Sequence, residues 1–221
     1  MKKWHDLYTQ AWLPRVFPFA VFMLFILPES AFKEQVYLIY IVKSIIVGLL
    51  LLHFRNKYEE INKSVSFKDI CIAAAFGIAV FILWINMTWD FAVFGSPRAN
   101  NPYELLGKGY LYPAIFFRIL GASVVVPVME ELFWRSFVIR WIDDHDFMKA
   151  PVGAFSLRSF VITVLLFGSE HDLWLAGIAA GILYNVLLYY RKSIFLCIIS
   201  HGVTNFILGI YVLYSGRWMF W

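Results

Sequence analysis

The stretch 126–137, VPVMEELFWRSF, sets two adjacent carboxylates, Glu130 and Glu131, and the guanidinium of Arg135 among valines, phenylalanines and a tryptophan. Two other apolar stretches carry polar groups: LLFGSEHDLW holds Glu170 and His171, and IISHGVTNFI holds His201 and Asn205. On a helix, Glu131 and Arg135 stand at i and i+4, share a face, and can neutralise each other in the order a helix prefers. Glu130 is turned about 100° from Glu131 and is left to point elsewhere. His201 and Asn205 are also at i and i+4, which presents an imidazole and an amide to one volume, and Phe167 sits one turn before His171 where it can wall the ring. Burial and neighbouring cations act in opposite senses on a carboxylate, so Glu130 can be tuned as a general base for water. Asn205 could then donate to an oxyanion. The chemistry that this set suggests is hydrolysis of an amide.

A metal is the rival. His171, His201 and Glu130 have the donor types of a His₂Glu zinc site. The chain has no HExxH spacing, however, and its two histidines lie on separate segments, so metal-free glutamate catalysis without a cofactor is the expected chemistry.

These residues must be positioned by elements that cross a bilayer. The chain is 61% hydrophobic, 19% aromatic and only 15% charged, where ordinary soluble domains carry about 25% charged residues. No long polar stretch exists in which a separate soluble domain could fold, so the 221 residues are read as a single membrane domain, 1–221. The net charge of +4 follows from where lysine and arginine fall and does not point to nucleic acid. Cys71 and Cys197 both lie in apolar segments and are read as small buried hydrophobes rather than as a disulfide or a thiolate site. The charged N-terminus has no small-residue cleavage site after it, so the first helix itself is expected to serve as the signal.

Apolar stretches at about 15–28, 36–54, 70–89, 111–141, 158–171, 173–190 and 193–214 predict an all-α polytopic membrane bundle of about seven to eight transmembrane helices. Its polar-bearing core is about 111–214. The fourth stretch is too long for one upright crossing, and Pro127 is placed to bend it. The fifth is short. Twelve lysines and arginines, among them Lys2, Lys3, Arg15, Lys63 and Arg140, fall on the face of the N-terminus, against four, Lys33, Arg98, Lys108 and Arg217, on the other. That bias places the N-terminus in the cytoplasm. Counted from that face, Glu130, His171 and His201 lie about eleven, thirteen and nine residues in, all roughly 13–20 Å deep. One polar cavity is therefore expected, enclosed by spans four, five and seven, lined by Glu130, Glu131, His171, His201 and Asn205, and opening to the cytoplasmic half. Lys43 and Arg118, also at membrane depth, receive no role. Gly177 and Gly181 in GIAAG read as a close-packing face within the chain.

Against known families, EELFWR resembles the EExxxR motif of the CAAX-processing and bacteriocin-processing family, which includes the type II CAAX prenyl endopeptidases. FGSEH is similar to its FxxxH motif and HGVTN to its HxxxN motif, three motifs in order over residues 130–205. LPRVFPFAVFM, VVPVMEELFWRSFVIRW and the final tryptophan further resemble the subfamily found beside exosortases in bacteria. The resemblance implies an intramembrane endopeptidase of a bacterial inner membrane, acting on a membrane-associated protein or peptide. It implies Glu130 as the water-activating residue, Glu131 and Arg135 in support, and His171, His201 and Asn205 completing the site. Two other readings remain: a catalytically silent protein that binds a membrane partner, as an immunity protein does, and a proton-coupled carrier, since Glu and His chains also mark proton relays. No repeat between halves supports the carrier.

Overall fold

A computed structural model describes residues 8–62, 64–95 and 100–221. The chain before residue 8, with Lys2 and Lys3, and also Lys63 and Arg98, lie outside the described residues. The described chain is an all-α membrane bundle: α1 (Leu13–Ala31), α2 (Val36–His53), α3 (Phe67–Asn86), α4 (Lys108–Asp143), α5 (Leu157–Ser169), α6 (Trp174–Arg191) and α7 (Ile194–Ser215). Five of these, α1 to α4 and α7, have the length and apolar composition to cross a bilayer. At 36 residues α4 would run about 54 Å, well beyond a core of about 30 Å. The 13-residue α5 covers only about 20 Å, as its short apolar stretch predicts.

Local chemistry starts and stops these helices where the bundle needs them. Ser66 and Asp69 form a reciprocal capping box at the start of α3. Ser156 caps α5, and its hydroxyl and that of Ser159 both donate to the carboxylate of Asp143, which ties the end of α4 to the start of α5. Gly216 ends α7 at a φ of 68°, a left-handed conformation that glycine adopts without strain.

Small residues set the spacing between α5 and α6. A Cβ built on Gly177 would stand 3.0 Å from the Cα of Gly168, so the GIAAG face is used for close packing inside the chain. Cys197 is buried, whereas Cys71 is exposed on α3. The apolar character of Cys71 and its neighbours reflects the lipid-facing side of the helix, because in a bilayer the outer face of a helix is as apolar as its core face.

Pro127 does more than bend α4. The helix widens into π-helical turns at Gly121–Val125 and again at Leu132–Val138, leaving the pair Glu130 and Glu131 at the end of the short α-helical segment between them. In the first widening the Val126 N–H donates to the Gly121 carbonyl. The next carbonyl in that register, Ala122, would need the N–H of Pro127, which does not exist.

Two arginines counted toward orientation turn out to be buried inside the bundle rather than facing water. Arg15, 2% exposed, donates from Nε and Nη2 to both oxygens of Glu60 at 2.7 and 2.6 Å. The Ser136 hydroxyl on α4 donates to the same carboxylate, and Arg140 donates to the backbone carbonyls of Ala150, Ser136 and Met148. This cluster locks the start of α1, the loop before α3 and the end of α4 together. Burial pushes the Glu60 carboxyl up, but the Arg15 guanidinium and the Ser136 hydroxyl more than reverse that and hold it below its ordinary range.

Because the Glu60 carboxyl is held low in the folded chain, its contribution to stability is full above the unfolded carboxyl value of about 4.3 and is lost as pH falls through the lower folded value. Arg15→Ala leaves a buried carboxylate uncompensated and is expected to cost about 3–5 kcal/mol. Thermal unfolding in detergent as a function of pH checks both: the wild type should lose stability in acid, and the variant should lose much of that acid sensitivity.

Candidate active site

Among the described residues the most buried charge is Glu131, at 0% exposure. Its Oε1 accepts from Arg135 Nη1 at 3.3 Å, the i,i+4 pair predicted, and also from His201 Nδ1 at 2.9 Å. The helical spacing predicts only the first of these contacts, because the second joins two helices. An ionised carboxylate only accepts, so Nδ1 of His201 carries the proton and Nε2 is left for the cavity. His201 lies 5.0 Å from Tyr184 in a stacked arrangement, and the Tyr184 hydroxyl donates to Thr204, which in turn donates to the Gly77 carbonyl on α3.

Arg135 is 2% exposed. Beyond Glu131 it donates from Nε to Asn185 Oδ1 at 3.2 Å, and Asn185 donates to Thr163 at 3.1 Å. Its guanidinium lies 4.3 Å from the centre of the Phe167 ring. Asn185 and Tyr184 thus belong to the support of the site. The only signal for them in the sequence is an amide beside a phenol in an otherwise apolar run.

His171 is fixed in the same way as His201, by its inner nitrogen. Nδ1 donates to the Phe167 carbonyl at 2.8 Å, the imidazole packs 5.0 Å from the Phe167 ring, and Trp84 meets it edge-on at 5.1 Å. The expectation that Phe167 walls this ring holds. Asn205 lines the cavity and also serves the backbone. Its Nδ2 donates to the Ala122 carbonyl at 2.8 Å, the group that the π-turn and Pro127 leave without a donor. Gly202 makes that approach possible: a Cβ there would stand 2.8 Å from the Ser123 carbonyl. Asn205 is therefore a cross-brace between α7 and α4, one turn from His201.

A cavity of about 260 Å³ receives Glu130, His171, His201 and Asn205, together with Phe167, Tyr184 and Thr204. Glu131 does not line it, and its walls come from α1, α2, α3 and α6 as well as α4, α5 and α7, so the expected enclosure by three spans is corrected. The reason is depth. Glu131 has both its partners inside the packed bundle, and only its neighbour Glu130 is turned to the open volume. Glu130 is 8% exposed, and its Oε2 has no hydrogen-bond partner among the described residues.

The lining also places the opening relative to the helix ends, on the side opposite the one from which the depths were counted. Beyond Glu131, on the side where α1 begins, Arg135, Asn185 and Thr163 are buried and close the floor. The remaining lining, Tyr40, Lys43, Trp84, Arg118, Phe220 and Trp221, comes from the starts of α2 and α4, the end of α3 and the chain after α7. The mouth therefore faces the side on which α7 ends. Depth counted from one face cannot tell which way a cavity opens, because that depends on which side the packing seals.

Among the described residues no group of three or more His, Cys, Asp or Glu side chains is drawn together as metal ligands would be. Glu130, His171 and His201 share the cavity without forming such a group. Glu170, whose role was open, accepts from the Trp134 indole at 3.0 Å.

Residues 112–207 match the family model described as Rce1-like: Type II CAAX prenyl endopeptidase Rce1-like. That span runs from within α4 to within α7 and contains all the candidate residues named above. No curated protein and no solved structure matches the chain.

Breaking the central pair should be costly. Glu131→Gln and Arg135→Ala are each expected to lower the thermal stability in detergent by about 3–5 kcal/mol, as removal of one partner of a buried pair does. Asn205→Leu should cost about 1–3 kcal/mol by leaving the Ala122 carbonyl unsatisfied. An unchanged midpoint in Asn205→Leu would show that its amide serves substrate and not the fold.

Proposed function

We propose, from the match of residues 112–207 to the Rce1-like type II CAAX prenyl endopeptidases, that this multi-pass membrane protein is an intramembrane endopeptidase in which Glu130 activates water. The observation that carries the choice of Glu130 is its place on a cavity shared with two imidazoles, its buried Oε2 unpartnered among the described residues; the Oε2 of Glu131 is also unpartnered there, but Glu131 does not line the cavity. Every other candidate is committed to the fold by an identified contact: Glu131 and Arg135 to each other, Asn205 to Ala122, and each histidine through Nδ1.

In this reading Glu130 takes a proton from water as the oxygen adds to the substrate carbonyl, and returns it to the nitrogen when the C–N bond breaks. The products are a carboxylic acid and an amine. His201, oriented by Glu131, and His171, oriented by the Phe167 carbonyl, offer Nε2 to order the water and the carbonyl oxygen as charge develops. Glu131 and Arg135 position His201. Their pairing deep in the bundle compensates both charges, so their cost at membrane depth is met within the site.

The finer assignments belong to the same proposal: a bacterial inner membrane, an N-terminus in the cytoplasm, a membrane-associated protein or peptide as substrate, and kinship with the exosortase-associated subfamily. With the N-terminus inside, the mouth of the cavity faces away from the cytoplasm. Metal-free catalysis is supported by the separate placement of the possible ligands.

Glu130→Gln conserves shape and is expected to keep the wild-type unfolding midpoint while abolishing cleavage, because an amide cannot take a proton from water. The measurement compares the membrane proteome of cells carrying wild type or Glu130→Gln, looking for a fragment that depends on Glu130, with chelator and added zinc as parallel arms. Full activity in the variant would remove Glu130 as the base, and loss of activity with chelator, restored by zinc, would establish the metal route. A cellular function that survives Glu130→Gln would favour the partner-binding reading.

A further inference from the structure

Two cations that line the cavity are not used by the chemistry at Glu130. Lys43 on α2 is neutralised within the bundle, its Nζ 2.6 Å from Glu29 Oε1 and 4.2 Å from the centre of the Phe22 ring. Arg118 on α4 is different. Among the described residues no carboxylate pairs with it. Its guanidinium instead lies over the face of Tyr40, 4.4 Å from the ring centre, with Trp221 at 5.7 Å.

Stacking on a ring holds a guanidinium by its face and leaves the N–H edges, the part that makes paired hydrogen bonds to a carboxylate, directed elsewhere. Those edges belong to two adjoining volumes. Arg118 lines the catalytic cavity and also a second cavity of about 220 Å³, and the two share Tyr40, Lys43, Arg118 and Trp221. Asp172 borders only the second cavity and forms no ion pair with Arg118. An arginine is costly at this depth, and one that faces a cavity marks a path for substrate or ions.

We infer that Arg118 is the binding subsite for a carboxylate carried by the substrate, which reaches the catalytic cavity from the side on which α7 ends. The inference rests on the endopeptidase reading and gives it a substrate class. Arg118 and Glu130 are twelve positions apart on α4, about 18 Å along the axis. An extended peptide covers that distance in about five residues. Both residues line one cavity, so the carboxylate, whether a chain terminus or an acidic side chain, lies within a few residues of the bond that is cut.

Binding is to be read with the full chain carrying Glu130→Gln, purified in detergent, so that cleavage does not intervene. The probes are ten-residue apolar peptides made in three forms: a free C-terminal acid, the same peptide as its amide, and the amide with a single glutamate at the penultimate position. The acid and the glutamate peptide are expected to bind at least about tenfold more tightly than the plain amide, the effect of one charge-assisted pair. Adding Arg118→Gln should erase the difference, and Arg118→Lys should retain part of it. Equal binding of acid and amide, or a difference that survives Arg118→Gln, overturns the proposal. If Arg118→Gln lowers the unfolding midpoint, the comparison is made with Arg118→Lys, where a preference as large as that of the parent would overturn it. A third arm repeats the titration in nanodiscs of phosphatidylcholine with or without phosphatidylglycerol. Loss of the acid preference only with the anionic lipid, in an Arg118-dependent way, would mark a headgroup site and also overturn it. Failure of the carboxylate preference leaves Glu130-dependent cleavage in the wild type untouched, and absence of that cleavage removes the endopeptidase reading without changing the binding result.

Discussion

The carboxylate of Glu131 is the interaction on which the rest of this bundle depends. A charge with no exposed surface among apolar helices is tolerated only if its partners are equally buried and well placed. Here one oxygen meets both the Arg135 guanidinium and the His201 imidazole. From that oxygen two chains of contacts spread. One runs through Arg135 to Asn185 and Thr163, which joins α4 to α6 and α5. The other runs through His201, stacked on Tyr184, and on through Thr204 to the backbone of α3. Five helices, α3 to α7, are thereby held in register around one charge, and the functional residue beside it, Glu130, inherits a fixed position from a neighbour that is not itself in the cavity.

A second constraint comes from the backbone of α4. Its π-turns and Pro127 leave a carbonyl without a donor, and in a bilayer no water is at hand to supply one. Asn205 fills that need from α7, across a contact that Gly202 keeps short. The irregular stretch of α4 is thus satisfied by the same helix that carries His201. Irregular backbone and catalytic geometry are two aspects of one α4–α7 contact, which explains why an amide one turn beyond the histidine both lines the cavity and braces α4.

The asymmetry of the cavity follows from where the polar cross-links lie. On the side where α1 begins, Arg15, Glu60, Ser136, Arg140, Arg135 and Asn185 bond one another or backbone carbonyls and pack the helices shut. Toward the end of α7 the lining is aromatic, with Lys43 paired to Glu29 and Arg118 stacked on Tyr40. Helices linked by dense hydrogen bonds approach closely, whereas large rings and long cations hold them apart. A cavity with one sealed end and one open end is the consequence.

The helices, their order and the pairing of Glu131 with Arg135 were legible in the sequence because each depends on local spacing: about 20 apolar residues for a crossing, and four residues between charges on one face. The separation of Glu130 from Glu131 follows equally from the 100° between adjacent side chains. What local spacing cannot encode is which residue of one helix meets which of another. The bond from His201 to Glu131, the brace from Asn205 to Ala122, the burial of Arg15 on Glu60 and the pairing of Lys43 with Glu29 all join residues far apart in the chain. The direction in which the cavity opens was decided in the same way. A depth count measures distance from a face along one helix, but an opening is a property of how all the helices pack, and only their tertiary arrangement determines where polar links close the bundle and where bulky side chains keep it apart.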